Sequence, residues 1–116
     1  MNLRAVAAIV CLFVAVSALA EHRYYRAAQT RHKDQDFVFV KVDAAFFSGN
    51  PAAEEREFTD IRACVREAHL TGHVFAVANV NRHFKFYGPK DYHEIVKYLD
   101  MNWVNARLNK ELSCDF

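Results

Sequence analysis

Six histidines are the residues of this sequence with the clearest chemical potential, because imidazole binds metals and exchanges protons near neutral pH. His69 and His73 are four residues apart, a spacing that would place two imidazoles on one face of a helix, as zinc sites require. Gly72 lies between them and predicts the end of the helix. The metalloprotease motif also needs a glutamate directly after its first histidine, where Leu70 stands. We therefore predict no metal site and no cofactor.

An aspartate, a serine and two further histidines are the remaining candidates for acid–base or nucleophilic chemistry. Asp43 ends a predicted strand, while His83 and His93 lie in or near the hairpin and helix that follow. A pocket joining Asp43 with either histidine would indicate proton transfer to a bound substrate. Ser48 lacks the Gly-x-Ser-x-Gly context in which many serine hydrolases present their nucleophile. Polar residues at strand ends are ordinary, so we predict no catalytic residue.

The cysteines favour a structural role over a redox role. Three are present, and Cys11 lies in the apolar N-terminal segment, which leaves Cys64 and Cys114. A pair of cysteines in a protein that passes through an oxidising compartment favours a disulfide, and closing a loop of about 50 residues would stabilise the fold by about 4 kcal/mol. The alternative is two unrelated thiols, one buried and one on the C-terminal tail. We predict the Cys64–Cys114 disulfide.

The N-terminal segment has the layout of a secretory signal peptide. Arg4 precedes an apolar run over residues 5–16, and Ala18 and Ala20 supply the small residues of a cleavage site. The apolar stretch is shorter than the roughly 20 residues that a membrane-spanning helix needs. Basic residues after it leave an uncleaved membrane anchor as the alternative, because positive charge tends to stay cytoplasmic.

Cleavage after Ala20 would start the mature chain at Glu21, and an alternative cut would start it at Leu19. His22 would then lie close to the new N-terminus, and we predict no copper site there. The chain ends Ser-Cys-Asp-Phe, without a Lys-Asp-Glu-Leu-type retention signal. We predict that residues 1–20 are a signal peptide and that the protein is secreted or lies in the ER lumen.

The charge balance argues against general electrostatic partners. The chain has 15 Lys and Arg residues against 14 Asp and Glu residues, and removal of Arg4 with the signal peptide would leave equal numbers. A neutral domain has no general attraction to the nucleic-acid backbone or to anionic lipid. We predict no nucleic-acid partner and no membrane partner after signal cleavage.

The hydropathy pattern predicts a single α+β domain over residues 37–116, preceded by a polar, basic N-terminal arm over residues 21–36. The predicted elements are strands at residues 37–43, 74–80 and 84–87, an amphipathic helix from Pro51 to just before Gly72, and a final helix at about residues 90–111. Their order is β-α-β-β-α. A right-handed crossover between the first two strands makes them parallel, so we predict a small mixed sheet with an antiparallel edge.

Two short segments carry a family resemblance. Residues 86–99 read FYGPKDYHEIVKYL, and residues 40–44 read VKVDA. Residues 86–99 resemble the last strand and last helix of thioredoxin-like domains of the protein disulfide isomerase family, which often read Tyr-x-Gly-Pro-Arg followed by Ile-Val-x-Tyr-Leu. Residues 40–44 resemble the second central strand of that family, which often reads Ala-Lys-Val-Asp-Ala. In this chain the tyrosine directly precedes the glycine, and Lys90 replaces the arginine. The resemblance implies a thioredoxin-like core.

The redox residues of that family are missing from this sequence. No two cysteines are separated by two residues, and Ser48 stands near the first cysteine when residues 46–51 are aligned to the redox turn. Val74 occupies the place of the family's cis-proline. Thiol–disulfide exchange needs an attacking thiolate and a resolving cysteine. The resemblance therefore implies a redox-inactive domain, truncated at its first strand and helix unless residues 21–36 supply them.

Aromatic side chains are the candidates for binding. Phe37 and Phe39 share one face of the first strand, and Phe84 and Phe86 share one face of the third, because side chains two apart in a strand point the same way. An uncovered aromatic face is an interaction surface, and an edge strand can accept an extended peptide. The alternative is that all four rings are core beneath the helices.

These observations favour a non-catalytic thioredoxin-like binding domain for a polypeptide or a small-molecule partner. A secreted binding or effector module of unrelated fold is the second hypothesis, and a small hydrolase is the third. An exposed aromatic groove would support the binding hypotheses, whereas a pocket that joins Asp43 with a histidine would support the enzyme.

Overall fold

A computed structural model describes residues 21–116, which form a five-stranded sheet with helices on both faces. The predicted signal peptide lies outside the described residues. The strands are β1 (His22–His32), β2 (Gln35–Lys41), β3 (His73–Val80), β4 (His83–Tyr87) and β5 (Lys110–Asp115). The helices are α1 (Pro51–Glu67), α2 (His93–Val96) and α3 (Met101–Asn105), with short 3-10 helices at Ala44–Phe47 and Lys90–Tyr92.

The strand order is β4-β3-β2-β1-β5, in which β2 and β3 are parallel and every other neighbouring pair is antiparallel. The predicted α+β class with a small mixed sheet is therefore confirmed. The helix α1 begins as predicted, since the Asn50 side chain accepts a hydrogen bond from the Ala53 backbone at 3.2 Å and Pro51 occupies the first turn. Within residues 21–116 no helix is long and apolar enough to span a membrane.

The predicted N-terminal arm is a strand instead. β1 lies inside the sheet, with β2 on one side and β5 on the other. Its sequence is polar because part of one face stays open to solvent, while Tyr25, Ala27 and Ala28 are buried. The hairpin turn to β2 uses Lys33 and Asp34, both at positive φ (51° and 62°). Such turns usually contain glycine or asparagine, so this turn was not predicted from the sequence.

The predicted final helix over residues 90–111 is also wrong. The segment is divided instead into a 3-10 helix, α2 and α3, and the chain then ends in β5. Asp100 starts α3 afresh, because its backbone is extended and its side chain accepts a hydrogen bond from Trp103 N at 2.8 Å. Asn109 then fixes the chain to β1 by exchanging hydrogen bonds of 2.8 and 2.9 Å with the Gln29 backbone.

Each face of the sheet has its own core. On the first face α1 covers the apolar side chains of the central strands, and Phe58, Ile61 and Val65 are its buried contacts. On the second face the short helices α2 and α3 cover Phe37, Phe39 and Phe75 with Val96 and Val104. Covering both faces explains why β2 reads as a continuous apolar run.

The predicted Cys64–Cys114 disulfide is confirmed. It joins α1 to β5 with a Cα–Cα distance of 5.7 Å, and both cysteines are buried. Because β5 is an edge strand at the end of the chain, this bond fixes a segment that otherwise has one neighbouring strand.

The relation to thioredoxin-like domains stays a prediction. β2 lies parallel to β3, and β4 lies on the far side of β3. However, β1 and β5 extend the sheet beyond β2, and α2, α3 and β5 replace the long final helix. The thioredoxin-like order of elements is therefore not confirmed.

Candidate functional site

The sheet has a notch at its β4 edge. β4 pairs with residues Ala76 to Val80 of β3, so the first residues of β3 have no strand on their outer side. The chain leaves β4 through Gly88 and Pro89 and turns onto the second face of the sheet. α1 crosses the first face beside this gap, and a cleft of about 650 Å³ opens between α1, the start of β3 and the end of β4.

The floor of the cleft is apolar. Phe58 and Val65 from α1, Leu70 from the following loop and Val74 from β3 all line it. Phe58 and Val65 are buried, and Leu70 and Val74 are half-buried. A side chain entering from solvent would therefore meet apolar surface, and burying that surface would favour binding by about 25 cal/mol per Å².

Three basic side chains surround this floor. Arg62, Arg66 and Lys90 line the cleft and are exposed, and none of them forms a salt bridge with another of the described residues. Arg62 also lies 5.9 Å from the centroid of the Phe58 ring, close enough for a cation–π interaction. The rim therefore offers positive charge to a bound group.

The acidic side chain at the cleft is already engaged. Glu55 accepts a 2.5 Å hydrogen bond from the Tyr87 hydroxyl. This hydrogen bond, helped by burial, raises the pKa of Tyr87 to about 12. The phenol therefore stays neutral and keeps donating to the Glu55 carboxylate at physiological pH. The three cations of the rim outnumber this single carboxylate, so the net charge around the cleft is positive.

Backbone groups along the same edge are open. The turn at Asn81 and Arg82 has two residues at positive φ, so Val80 and His83 form the first hydrogen-bonded pair of the hairpin. Hydrogen-bonded pairs alternate with non-bonded ones. The N–H and C=O groups of Phe84 and Phe86 therefore point away from β3, toward solvent.

The same alternation opens the start of β3. The Val77 carbonyl accepts a hydrogen bond of 2.9 Å from the backbone N–H of Val42, the residue after β2. The odd-numbered residues of β3 therefore direct their N–H and C=O groups toward the β2 side. Val74 is even-numbered and directs its backbone into the notch. No residue within 21–116 occupies the strand position opposite it. The cleft thus joins an apolar floor to an unpaired strand edge.

Gly88 and His93 shape the wall of the cleft. A Cβ atom at Gly88 would lie 2.5 Å from the buried Phe75 ring, so only glycine lets the chain cross at this point. His93 Nε2 lies 2.9 Å from the Gly88 carbonyl oxygen, which it can reach as a hydrogen-bond donor. This contact holds the turn that carries Pro89 and Lys90 beside the cleft.

The four predicted binding aromatics divide into two pairs. Phe37 and Phe39 are fully buried under α2 and α3, so their assignment to a binding surface is wrong. Phe84 and Phe86 are half-buried at the margin of that second core, 6.0 Å apart between ring centroids, on the edge strand β4.

The histidine and aspartate candidates do not converge. His93 lines the cleft, whereas neither Asp43 nor His83 does. His73 stacks on Tyr92, with 3.8 Å between ring centroids, and its Nε2 lies 3.2 Å from the Gln35 side chain. Among residues 21–116 there is no group of three or more His, Cys, Asp and Glu side chains that could hold a metal ion.

Sequence reasoning missed the basic rim. Arg62 and Arg66 are four residues apart on α1 and therefore share one face of the helix. That spacing was visible in the sequence, but nothing in it indicated that Lys90 would face the same cleft. Their convergence depends on the turn at Gly88, which brings the chain beside α1.

Comparison with family models, with curated proteins and with solved structures finds no match to this chain.

Proposed function

We propose that this protein is a binding domain that captures an extended, acidic polypeptide segment along β4 and in the adjoining cleft, a role that needs no catalytic residue at this edge of the sheet. The observation that carries the proposal is the notch at the sheet edge. There an apolar floor, three exposed cations and an unpaired strand edge adjoin one another.

Backbone pairing is the reason to propose a polypeptide. An extended chain laid against β4 would meet the outward N–H and C=O groups of Phe84 and Phe86, and its end would reach those of Val74 in the notch. Strand addition of this kind supplies affinity through main-chain hydrogen bonds and specificity through pockets for alternate side chains. A small ligand would use the cleft and leave the strand edge unused.

The charge of the rim is the reason to propose acidic side chains. Side chains of an added strand alternate between the two faces of the sheet. On the first face they would meet the cleft floor and then Arg62, Arg66 and Lys90. On the second face they would meet the half-buried rings of Phe84 and Phe86. A segment fits both faces when every second side chain is apolar and meets the second face. The side chains between them, which meet the first face, should be apolar over the cleft floor and acidic beside the three cations.

The compartment belongs to the same proposal. We propose that the mature domain acts outside the cell or in the ER lumen, following removal of residues 1–20. The buried Cys64–Cys114 disulfide supports an oxidising environment. Intact-mass analysis of the exported protein tests this, and recovery of a full-length species from membranes would contradict it.

The same disulfide supports a role without redox chemistry. Both cysteines are buried and bonded to each other across α1 and β5, so neither is placed as an attacking thiolate at a helix start. We propose a redox-inactive domain whose resemblance to thioredoxin-like proteins concerns its fold alone.

Two matched peptides test the proposed function. The first is fluorescein-labelled Val-Leu-Val-Glu-Val-Glu with an amidated C-terminus, and the second has lysine in place of each glutamate. We expect fluorescence anisotropy to show saturable binding of the acidic peptide and at least about ten-fold weaker binding of the basic one, since each exposed ion pair contributes up to about 1 kcal/mol. Methylation of alternate backbone nitrogens in the acidic peptide should weaken its binding to the protein, because strand addition needs those N–H donors.

The control uses charge reversal on α1. Arg62→Glu with Arg66→Glu should abolish the preference for the acidic peptide, whereas Arg56→Glu, an exposed position on the same helix outside the cleft, should preserve it. Equal binding of both peptides, or binding of a medium-chain fatty acid and neither peptide, would overturn the proposal.

A further inference from the structure

A serine, a histidine and an aspartate meet at the opposite edge of the sheet, far from β4 in the strand order. Ser113 Oγ lies 2.7 Å from His22 Nε2, and the other ring nitrogen, His22 Nδ1, contacts the Asp115 carboxylate. We infer that Ser113 is a nucleophile activated by His22 and oriented through Asp115, and that this edge accepts acyl groups from small esters.

The register of β1 and β5 brings the three side chains together. His22 lies directly opposite Asp115, and Tyr24 lies opposite Ser113. The hydrogen bond of 2.9 Å from Phe116 N to Glu21 O marks the neighbouring position as a hydrogen-bonded pair, so the His22–Asp115 pair is a non-hydrogen-bonded one. Side chains approach most closely at such pairs. Ser113 is two residues from Asp115 and therefore shares its face.

The two contacts of His22 assign its protons. A carboxylate only accepts hydrogen bonds, so Nδ1 carries the proton that is donated to Asp115. In the neutral imidazole Nε2 is then the acceptor and receives the hydroxyl hydrogen of Ser113. This is the arrangement of nucleophile, base and orienting carboxylate that defines a serine hydrolase relay.

The disulfide holds the nucleophile in place. Cys114 lies between Ser113 and Asp115 and is bonded to Cys64 on the opposite face of the sheet. The Ser113 carbonyl oxygen lies 3.8 Å from Cys64 Sγ. An edge strand fixed at Cys114 cannot slide relative to β1, so the two flanking side chains keep their register with His22.

The surroundings indicate the kind of ester. His22, Ser113 and Asp115 are exposed, so a substrate needs no entry path. Tyr24 is 77% exposed and its ring meets the His22 ring edge-on, 4.6 Å between centroids. Ser113 lies at a non-hydrogen-bonded position, so its backbone N–H points to the open edge. There it can donate a hydrogen bond to the oxygen of the carbonyl group under attack. A short acyl ester with an aromatic leaving group fits beside Tyr24.

The reaction balances with the ester and water alone. Ser113 Oγ bonds to the carbonyl carbon while its proton moves to His22 Nε2. The bond to the leaving oxygen then breaks, and that oxygen takes the proton from His22, which releases the alcohol and leaves acyl-Ser113. Water repeats both steps through His22 and releases the carboxylic acid.

The test uses the oxidised exported protein with two probes, a biotinylated fluorophosphonate and 4-nitrophenyl acetate. We expect the fluorophosphonate to label Ser113, identified by peptide mass spectrometry. Ser113→Ala should abolish labelling, and His22→Gln should slow it by about a hundred-fold, the lower end of what a general base contributes. Asp115→Asn should slow labelling, and Asp115→Glu should restore part of the rate, which a merely structural role would not do.

Ser48→Ala and His69→Gln are the matched controls, because both positions are exposed and lie outside this cluster. Both should label and hydrolyse as the unaltered protein does. Labelling at a residue other than Ser113, or ester hydrolysis that Ser113→Ala leaves unchanged, would overturn the inference. None of these substitutions lies at the β4 cleft. Failure of the labelling and hydrolysis test would therefore leave the peptide-binding proposal standing, and the failures of the two proposals can be told apart.

Discussion

Tyr87 at the end of β4 donates a hydrogen bond to Glu55 on α1, with 2.5 Å between the hydroxyl and carboxylate oxygens. This hydrogen bond links the edge strand to the helix across the cleft. The Tyr87 ring also packs edge-on against Phe58, 4.9 Å between ring centroids. The contact therefore fixes the distance between the two walls of the cleft.

The ionisation of Tyr87 tests this link. Its pKa is raised to about 12 by the hydrogen bond to Glu55 and by burial, against an ordinary value of about 10. Because the folded pKa is the higher one, the stabilising contribution is complete below about pH 10 and is lost as the pH rises from about 10 to 12. We expect an ultraviolet difference titration, unaltered protein minus Tyr87→Phe, to show the late phenolate. Glu55→Gln should return its midpoint toward the ordinary value, and an unshifted midpoint in the unaltered protein would contradict the link.

Substitution of Gly88 should destabilise the fold and deform the cleft. An alanine Cβ there would lie 2.5 Å from the ring of Phe75, which is fully buried and has no room to move. We expect Gly88→Ala to cost about 1–3 kcal/mol, measured by urea unfolding. Adding Phe75→Leu should recover part of that loss, because the two changes share one contact. Additive effects of the two substitutions would show that the contact is not the cause.

The disulfide should supply a large share of the stability. Removing it by Cys64→Ala with Cys114→Ala should lower the free energy of unfolding by about 2–5 kcal/mol. Alanine is the suitable replacement, because both positions are buried and a serine hydroxyl would lose its hydrogen bonds to water. Mild reduction of the unaltered protein should give a similar loss. Alkylation of both thiols in the folded, unreduced protein would contradict the bond.

The two phenylalanine pairs should behave differently. Phe37→Ser and Phe39→Ser each remove a fully buried ring and should cost about 3–5 kcal/mol, enough to unfold much of a domain this small. Phe84→Ser and Phe86→Ser change half-buried rings on the edge strand, so we expect about half that loss and weaker capture of the acidic peptide. Circular dichroism melting and anisotropy measure the two effects. Peptide binding unchanged in a folded Phe86→Ser variant would exclude β4 from the binding surface.

Much of the sheet could be predicted from local pattern. The apolar residues of β2 and β3, the cap at Asn50 and the helix α1 follow signals that lie within a few residues of one another. β1 could not be predicted in the same way, because its polar residues face solvent on part of one side and its turn uses Lys33 and Asp34 rather than glycine. Whether a polar segment becomes a strand depends on partners that lie far along the chain.

The candidate sites show the same division. The pairing of Cys64 with Cys114 followed from elimination and compartment, and the spacing of Arg62 and Arg66 was present in the sequence. Lys90 joins them only because Gly88 turns the chain beside α1. Ser113 and Asp115 meet His22 only because β5 pairs with β1, a contact between residues about ninety positions apart.

The sequence by itself therefore determined the α+β class, the parallel β2–α1–β3 unit and the disulfide, since each rests on hydrophobic periodicity, on local capping or on the only two cysteines of residues 21–116. The tertiary structure decided which aromatic rings are buried, where the cleft opens and which polar side chains meet. The physical reason is that these properties depend on long-range strand pairing. The partner of an edge strand is set by the packing of the whole sheet, and the residues within the strand do not encode it alone.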